Sequence, residues 1–238
     1  MTMTKASGRT YSSIIKELKS LRDPRCIDGM ARYGLSSPTT LGISMPQLRL
    51  IAREAGRNHE LAQKLWKSGI YEARLLAFMV DEYKLVTEEQ MDRWANDFDN
   101  WGIVDGCCGH LFVKTPFAYK KAVEWSKRKE EFVKRAGFSM MAALTVHDKK
   151  AEDDVFLKFL PIIAKAATDE RNYVKKAVNW ALRQIGKRNP ALNKAAIETA
   201  MKLQKLDSRA ATWIASDALR ELRGEAVQKR LSKSRTAR

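Results

Sequence analysis

Apolar residues recur along this chain at intervals of three and four, the spacing that places them on one face of an α-helix. The segment 71–83 shows this pattern clearly. Its predicted buried stripe comprises Ala73, Leu76, Ala77, Val80 and Tyr83. No segment sustains the period-two alternation that is typical of a half-buried strand. The pattern therefore predicts an all-α protein.

Helix starts are indicated by proline and by short polar residues that can cap a first turn. Four prolines lie near plausible helix starts: Pro24, Pro46, Pro116 and Pro190. Roughly a dozen short helices without a long heptad pattern favour helix pairs stacked side by side, as in an α-solenoid with a concave face. An ordinary globular bundle of helices is the alternative, because the internal sequence repeat is weak.

The charge of the chain indicates its partner. Lys and Arg number 44 against 28 Asp and Glu, a net charge of +16, and residues 170–238 alone carry 17 − 6 = +11. A helical protein this basic is expected to bind an acidic polymer, above all nucleic acid. We expect a single domain over residues 1–223 and, over 224–238, a basic C-terminal tail that acts as an electrostatic arm rather than a folded element.

Several other classes of protein find no support in the sequence. Three cysteines are too few for a disulfide framework, the N-terminus lacks a signal pattern, and no apolar run approaches the roughly 20 residues that cross a bilayer. A soluble protein of a reducing, intracellular compartment is expected. His59, His110 and His147 lie far apart, so the sequence predicts no metal site, and no cofactor motif is present.

The segment NWGIVDGCCGHLF, residues 100–112, predicts a mainly apolar helix that contains one acid, Asp105. A carboxylate in such a run is costly unless it is paired or functional. Glycine costs about 1 kcal/mol relative to alanine inside a helix, and three of them surround Asp105: Gly102, Gly106 and Gly109. They indicate either an open pocket floor beside Trp101 or close helix packing around a buried, hydrogen-bonded acid.

A second helix, predicted over residues 171–188, has an unusual polar face. Its apolar stripe comprises Val174, Ala177, Val178, Ala181, Leu182 and Ile185, and on the other side lie Tyr173, Lys176, Trp180, Arg183 and Lys187. Aromatic rings interleaved with cations suit a nucleic-acid backbone. Packing of Trp180 against a neighbouring helix pair is the alternative.

These two segments resemble the AlkC/AlkD-type DNA alkylation repair family, and its AlkD branch in particular. The resemblance rests on Trp101-Gly-Ile-Val-Asp105 and on Val178-Asn-Trp180-Ala-Leu-Arg183, and it extends over roughly residues 11–205. Tyr33 in YGLSSPTTLGI and Arg135 in EFVKRAGF also match the family pattern. The chain departs from the AlkD branch at Gly102, at the Gly-Cys-Cys-Gly run, and in having only Tyr173 before Trp180.

The resemblance implies a HEAT-like superhelix whose concave, basic cleft grips duplex DNA, and a monomer that excises cationic purines alkylated at N3 or N7. It assigns catalysis to Asp105, Trp101 and Trp180, and DNA contact to Tyr33, Arg135, Tyr173, Lys176, Arg183 and Lys187. Such an enzyme needs neither metal nor cofactor and would act in the cytoplasm on the nucleoid. The rival hypothesis is a noncatalytic HEAT-like scaffold that binds DNA or protein.

Overall fold

A computed structural model describes residues 9–35 and 37–236. These residues form fifteen α-helices and one turn of 3₁₀-helix at Phe112–Lys114, with no strand among them, so the all-α prediction is confirmed. The helices are α1 Tyr11–Ser20, α2 Pro24–Ala31, α3 Met45–Ala55, α4 His59–Lys67, α5 Tyr71–Val80, α6 Glu88–Asn96, α7 Trp101–His110, α8 Ala118–Trp125, α9 Glu131–His147, α10 Asp153–Leu157, α11 Phe159–Ala166, α12 Asn172–Gly186, α13 Pro190–Leu203, α14 Arg209–Leu222 and α15 Glu225–Thr236.

Short polar side chains begin many of these helices, as the sequence predicts. Seven of them accept a hydrogen bond from a backbone N–H of the first turn: Thr10, Asp23, Asn58, Thr87, Asn100, Asn189 and Ser208. Each such cap satisfies a donor that the helix itself leaves unpaired. Pro24 and Pro190 are the first residues of α2 and α13. Among the helices of the described residues, none is long and apolar enough to cross a membrane.

The chain divides into two compact units, Met1–Thr115 and Pro116–Arg238. In the first unit α5 packs against α4, and α3, α5 and α7 lie side by side. The rings of Trp66 and Trp94 stack with centroids 4.0 Å apart and help to fill the core between α4 and α6. In the second unit α9, α12 and α14 lie side by side, while α8 packs on α9 and α13 on α14.

The predicted stripe of α5 is correct up to Val80 and wrong at Tyr83, which is 39% exposed. The helix ends at Val80 because Asp81 has extended backbone and a fully buried carboxylate. That carboxylate lies 2.6 Å from His59 Nδ1 and accepts a hydrogen bond of 2.7 Å from Gln90 Nε2. In the described part of the chain, no group of His, Cys, Asp or Glu residues is arranged to hold a metal ion.

The last segment is folded, and the expectation of an unfolded arm after Gly224 is wrong. Residues 225–236 form α15, whose Val227 and Leu231 are only 8% and 4% exposed. Gln228 Nε2 donates to the backbone oxygen of Leu222 at 2.6 Å. Apolar residues at positions four apart give this basic helix one face that packs on the rest of the second unit. The count of lysines and arginines alone did not reveal this face.

An ion-pair cluster ties the start of α12 to α9. The Asp169 carboxylate accepts from Lys134 Nζ at 2.8 Å and from Arg171 Nη2 at 2.6 Å, and Arg171 Nη1 donates to the backbone oxygen of Lys129. Burial acts to raise the pKa of Asp169, but the hydrogen bonds from Arg171 and Lys134 outweigh it and hold the pKa well below its ordinary value. The ionised form is therefore favoured in the folded protein.

This cluster predicts a loss of stability in acid. Because the folded-state pKa of Asp169 is depressed, its stabilisation is present above the unfolded pKa of about 3.9 and is lost as the pH falls below it. We expect the urea midpoint of Asp169→Asn to lie below that of the wild type at pH 6, and the gap to narrow as the pH falls from about 4 toward 3. The gap should not close in that range, because the folded-state pKa is lower still. A gap of constant size across that range would contradict the assignment.

Candidate functional site

Asp105 lies at the middle of α7, a helix whose other inward residues are apolar. Asn100 caps this helix, its Oδ1 accepting from the Ile103 N–H at 3.0 Å. Ile103 and Val104 are fully buried, whereas Asp105 is half-buried. The structure thus keeps the carboxylate accessible from solvent on a helix that is otherwise held in the core.

Two of the three glycines of α7 serve packing. A Cβ on Gly102 would lie 2.7 Å from the Tyr71 hydroxyl, and a Cβ on Gly106 would lie 2.3 Å from the Phe78 ring. Both aromatic side chains come from α5, which packs on α7. For these positions the packing interpretation of the sequence is correct: buried aromatic area offsets the low helix propensity of glycine.

Gly109 is different from the other two. A Cβ placed there would meet nothing within 4 Å, so no packing neighbour requires a glycine. Gly109 is four residues after Asp105 and therefore lies on the same face of α7, one turn further along. The open space around Gly109 leaves room beside the carboxylate.

Trp101 and Tyr33, which the sequence placed in the site separately, meet in the first unit. The indole Nε1 of Trp101 donates to the backbone oxygen of Tyr33 at 2.8 Å. Trp101 is four residues before Asp105, again on the same helical face. The hydrogen bond fixes the indole, and the Tyr33 side chain itself is 75% exposed. Trp101 is therefore anchored at one end of this face, and the residue whose backbone anchors it has an exposed aromatic side chain.

Glu72 is a supporting residue that sequence reasoning missed. Its fully buried carboxylate accepts hydrogen bonds from the backbone N–H groups of Leu41, Gly42 and Ile43, the shortest being 2.7 Å from Gly42. Gly42 has φ +83°, and a Cβ there would lie 2.3 Å from the backbone oxygen of Asp23. Glu72 thus anchors residues 41–43, the end of the segment YGLSSPTTLGI that contributes to the family resemblance.

The apolar stripe of α12 is fully buried, as predicted, and its opposite face is partly accessible. All six stripe residues are 0% exposed: Val174, Ala177, Val178, Ala181, Leu182 and Ile185. On the other face Lys176 is exposed and Trp180 is half-buried. Tyr173 is also half-buried, with its ring 5.2 Å from that of Phe132. Lys176 and Trp180 are therefore the most direct candidates for a DNA contact on this helix.

Two of the predicted DNA-binding cations share a carboxylate of α14. Arg183 Nη1 lies 2.5 Å from Glu221 Oε2 and 3.2 Å from Asp217 Oδ2, and Lys187 Nζ donates to Glu221 Oε1 at 2.7 Å. Burial acts to raise the pKa of Glu221, but the hydrogen bond from Lys187 and the charge of Arg183 prevail and lower it. A phosphate would have to compete with this internal acid for both cations.

Arg135 lies on α9 and is only 6% exposed. Its Nη1 donates to the backbone oxygen of Tyr173 at 2.7 Å, which joins α9 to the first turn of α12. In this arrangement the guanidinium positions Tyr173, and direct contact of Arg135 with a phosphate stays a prediction. Asp105, Trp101 and Tyr33 belong to the first unit, and the remaining candidates belong to the second.

Rows of side-by-side helices backed by partner helices, seen in each unit, define a helical-repeat protein of the HEAT-like class. A solved structure described as "a new family of proteins related to the HEAT-like repeat DNA glycosylases with affinity for branched DNA structures" shares this fold, with a TM-score of 0.74, 20% identity, and coverage of 90% of this chain and 95% of that one. A family model for DNA alkylation repair enzymes matches residues 14–222, and the chain belongs to that family.

A second relative has a similar sequence over most of its length, but its description gives no activity. An uncharacterized protein of Listeria innocua is 23% identical over 201 residues, which is 83% of this chain and 88% of that protein. The family match confirms the resemblance read from the Trp101-to-Asp105 and Val178-to-Arg183 segments, and it supports a role in DNA repair.

Proposed function

We propose that this protein is a DNA glycosylase that hydrolyses the N-glycosidic bond of cationic N3- or N7-alkylated purines in double-stranded DNA, the first step of base excision repair. The coarser role follows from membership of the DNA alkylation repair enzyme family. We further propose that it acts as a monomer without a cofactor, in the cytoplasm on nucleoid DNA.

One observation carries the proposal: a half-buried carboxylate stands on an apolar helix between an anchored indole and open space. Asp105 has Trp101 one turn before it and Gly109 one turn after it on the same face of α7. The open space at Gly109 leaves the surface beside Asp105 uncovered at that end of the face. A catalytic acid residue does need space for a sugar in front of it.

The chemistry asks for one carboxylate. An N3- or N7-alkylated purine is already cationic, so it leaves as a neutral base when the C1′–N bond breaks and takes the bonding electrons with it. Positive charge then develops on the deoxyribose, and a preorganised carboxylate stabilises that oxocarbenium-like state. Asp105 would do this and would also orient the water that attacks C1′. The water proton passes to Asp105 or to solvent, which leaves an abasic sugar.

The aromatic residues and cations would hold the DNA. The face of Trp101 is electron-rich and would lie against the sugar as its positive charge develops. Trp180, on α12 of the second unit, offers a second electron-rich face to the DNA. Lys176 is exposed, so it suits a backbone phosphate. Tyr33 adds an accessible aromatic contact beside Trp101. Arg183 and Lys187 would reach phosphates by giving up part of their pairing with Glu221.

A noncatalytic DNA-binding module is the second candidate. The solved relative is described by its affinity for branched DNA structures, a property that requires no reaction. The pairing of Arg183 and Lys187 with Glu221 also favours a binding surface that is selective rather than one that grips every duplex tightly.

The test is release of modified bases from duplex DNA treated with a methylating agent. We expect the wild type to release N7-methylguanine and N3-methyladenine, measured by chromatography of the soluble fraction, and to release nothing from the untreated duplex. Binding to both duplexes is measured in parallel at two salt concentrations, because phosphate contacts weaken steeply with salt. No release despite salt-sensitive binding would overturn the glycosylase proposal in favour of the binding module.

A further inference from the structure

Helix α14 carries a tryptophan that the core does not use. Trp213 is 41% exposed, while the opposite side of α14 is buried through Ala211, Ala215 and Ala218 at 0%. The ring borders a shallow pocket of about 430 Å³ on the second unit. The residues that line it are Leu206, Asp207, Ser208, Arg209, Thr212, Trp213 and Ser216, hereafter the Trp213 pocket. A large exposed ring beside a concavity indicates a binding surface.

Cations border the Trp213 pocket. Lys175 Nζ, from α12, lies over the indole at 5.4 Å from the ring centroid. Arg209 is exposed in the lining, and Asp207 is its one acidic member. The pocket belongs to the part of the chain, residues 170–238, that carries a net charge of +11. These charges favour an anionic ligand over an apolar peptide.

Hydrogen bonds within the protein hold the part of the pocket wall at the start of α14. Glu170 Oε1 accepts from the Ala210 N–H at 2.9 Å and from Ser208 Oγ at 3.2 Å, and Ser208 Oγ in turn accepts from the Ala211 N–H. Thr212 Oγ1 donates to the backbone oxygen of Ser208 at 3.0 Å. The helix N-terminus is therefore already satisfied by an acid and a hydroxyl, so the ring and the surrounding cations carry the recognition.

We propose that the Trp213 pocket binds an unpaired nucleobase of DNA, stacked on the indole, with the flanking phosphates held by Lys175 and Arg209. Stacking on an aromatic ring accepts any base, and nearby cations supply the backbone contacts. Thr212 and Ser216 also line the pocket and supply polar side chains beside the indole. The inference rests on the DNA binding of the proposed function, but it adds a preference for duplexes with a single-stranded segment.

The test compares two labelled DNAs of equal duplex length, one blunt and one with a single-stranded overhang, by fluorescence anisotropy. We expect Trp213→Ala to weaken binding of the overhang DNA by roughly 5- to 100-fold and to leave the blunt duplex within about 2-fold. Trp213→Phe retains a ring and should restore much of the difference. Met201→Ala, which removes another exposed apolar side chain of this unit, is the matched control and should change neither affinity.

Thermal melts by circular dichroism establish that each variant is folded. Equal losses on the two DNAs, or no loss on either, would overturn the inference while leaving DNA binding by the wild type intact. Concentration-dependent self-association that Trp213→Ala abolishes, with unchanged DNA binding, would overturn it in favour of a protein contact. If the wild type binds neither DNA, the proposed function itself fails.

Discussion

Replacing Asp105 with asparagine is expected to slow the release of methylated purines by on the order of 10²- to 10³-fold, the usual cost of removing one preorganised electrostatic contact to a transition state. The substitution preserves the shape of the side chain on α7 but removes the charge that stabilises the oxocarbenium-like sugar. DNA affinity should hold or rise slightly, because a negative charge near the phosphates is lost. Single-turnover release and binding to an unmodified duplex measure the two effects separately.

Asp99→Asn is the matched control for this experiment. Asp99 immediately precedes Asn100, the cap of α7, is 49% exposed, and lies 3.7 Å from Arg74, so its substitution makes the same change in net charge close to the same helix. We expect its rate of release to stay near that of the wild type. If Asp105→Asn releases methylated purines as fast as the control does, Asp105 has no catalytic role, even if the wild type is a glycosylase.

Replacing Gly137 with alanine is expected to destabilise the protein by roughly 3 kcal/mol, toward the upper end of measured costs of overpacking. Gly137 lies within α9, where a Cβ would come 2.3 Å from Ser126 N, 2.7 Å from Ser126 Cα and 2.9 Å from Trp125 C. These are backbone atoms at the end of α8, which cannot swing aside as a side chain can. Urea unfolding followed by circular dichroism gives the change in free energy.

Gly109→Ala on α7 is the control, because a Cβ there meets nothing within 4 Å. It should be neutral or stabilise the helix by up to about 1 kcal/mol, the difference in helix propensity between the two residues. A similar loss of stability in the two variants would mean that helix α9 does not approach the α8 backbone as closely as the structure places it.

Periodicity in the sequence predicted individual helices well. The apolar stripe of α12 is buried in full, and the helix found at Asn172–Gly186 differs from the predicted 171–188 by one or two residues at each end. The stripe of α5 was extended too far, because the burial of Asp81 against His59 and Gln90 ends the helix. Periodicity reports which face of a helix is buried, but such distant polar contacts decide where it stops.

The candidate site was predictable only in part, because it too depends on contacts between residues that are distant in the sequence. An acid in an apolar helix is visible in the sequence, and so Asp105 was found. The roles of Gly102 and Gly106 depend on aromatic residues of α5, some 30 residues away, and these two glycines do not open space around the acid. Glu72 reads as an ordinary helical glutamate until the amide groups of Leu41, Gly42 and Ile43 are seen to surround it.

The carboxylate of Glu221 is an internal counter-ion for the cations of α12. It fixes the side chains of Arg183 and Lys187, and its negative charge neutralises part of their positive charge before DNA binds. When a phosphate takes either cation, Glu221 must recruit an ion from solution, which offsets part of the ion release that normally drives DNA binding. The salt dependence of binding should therefore be shallower than the number of cations on this face implies, and tight binding would rest more on shape and ring contacts than on charge.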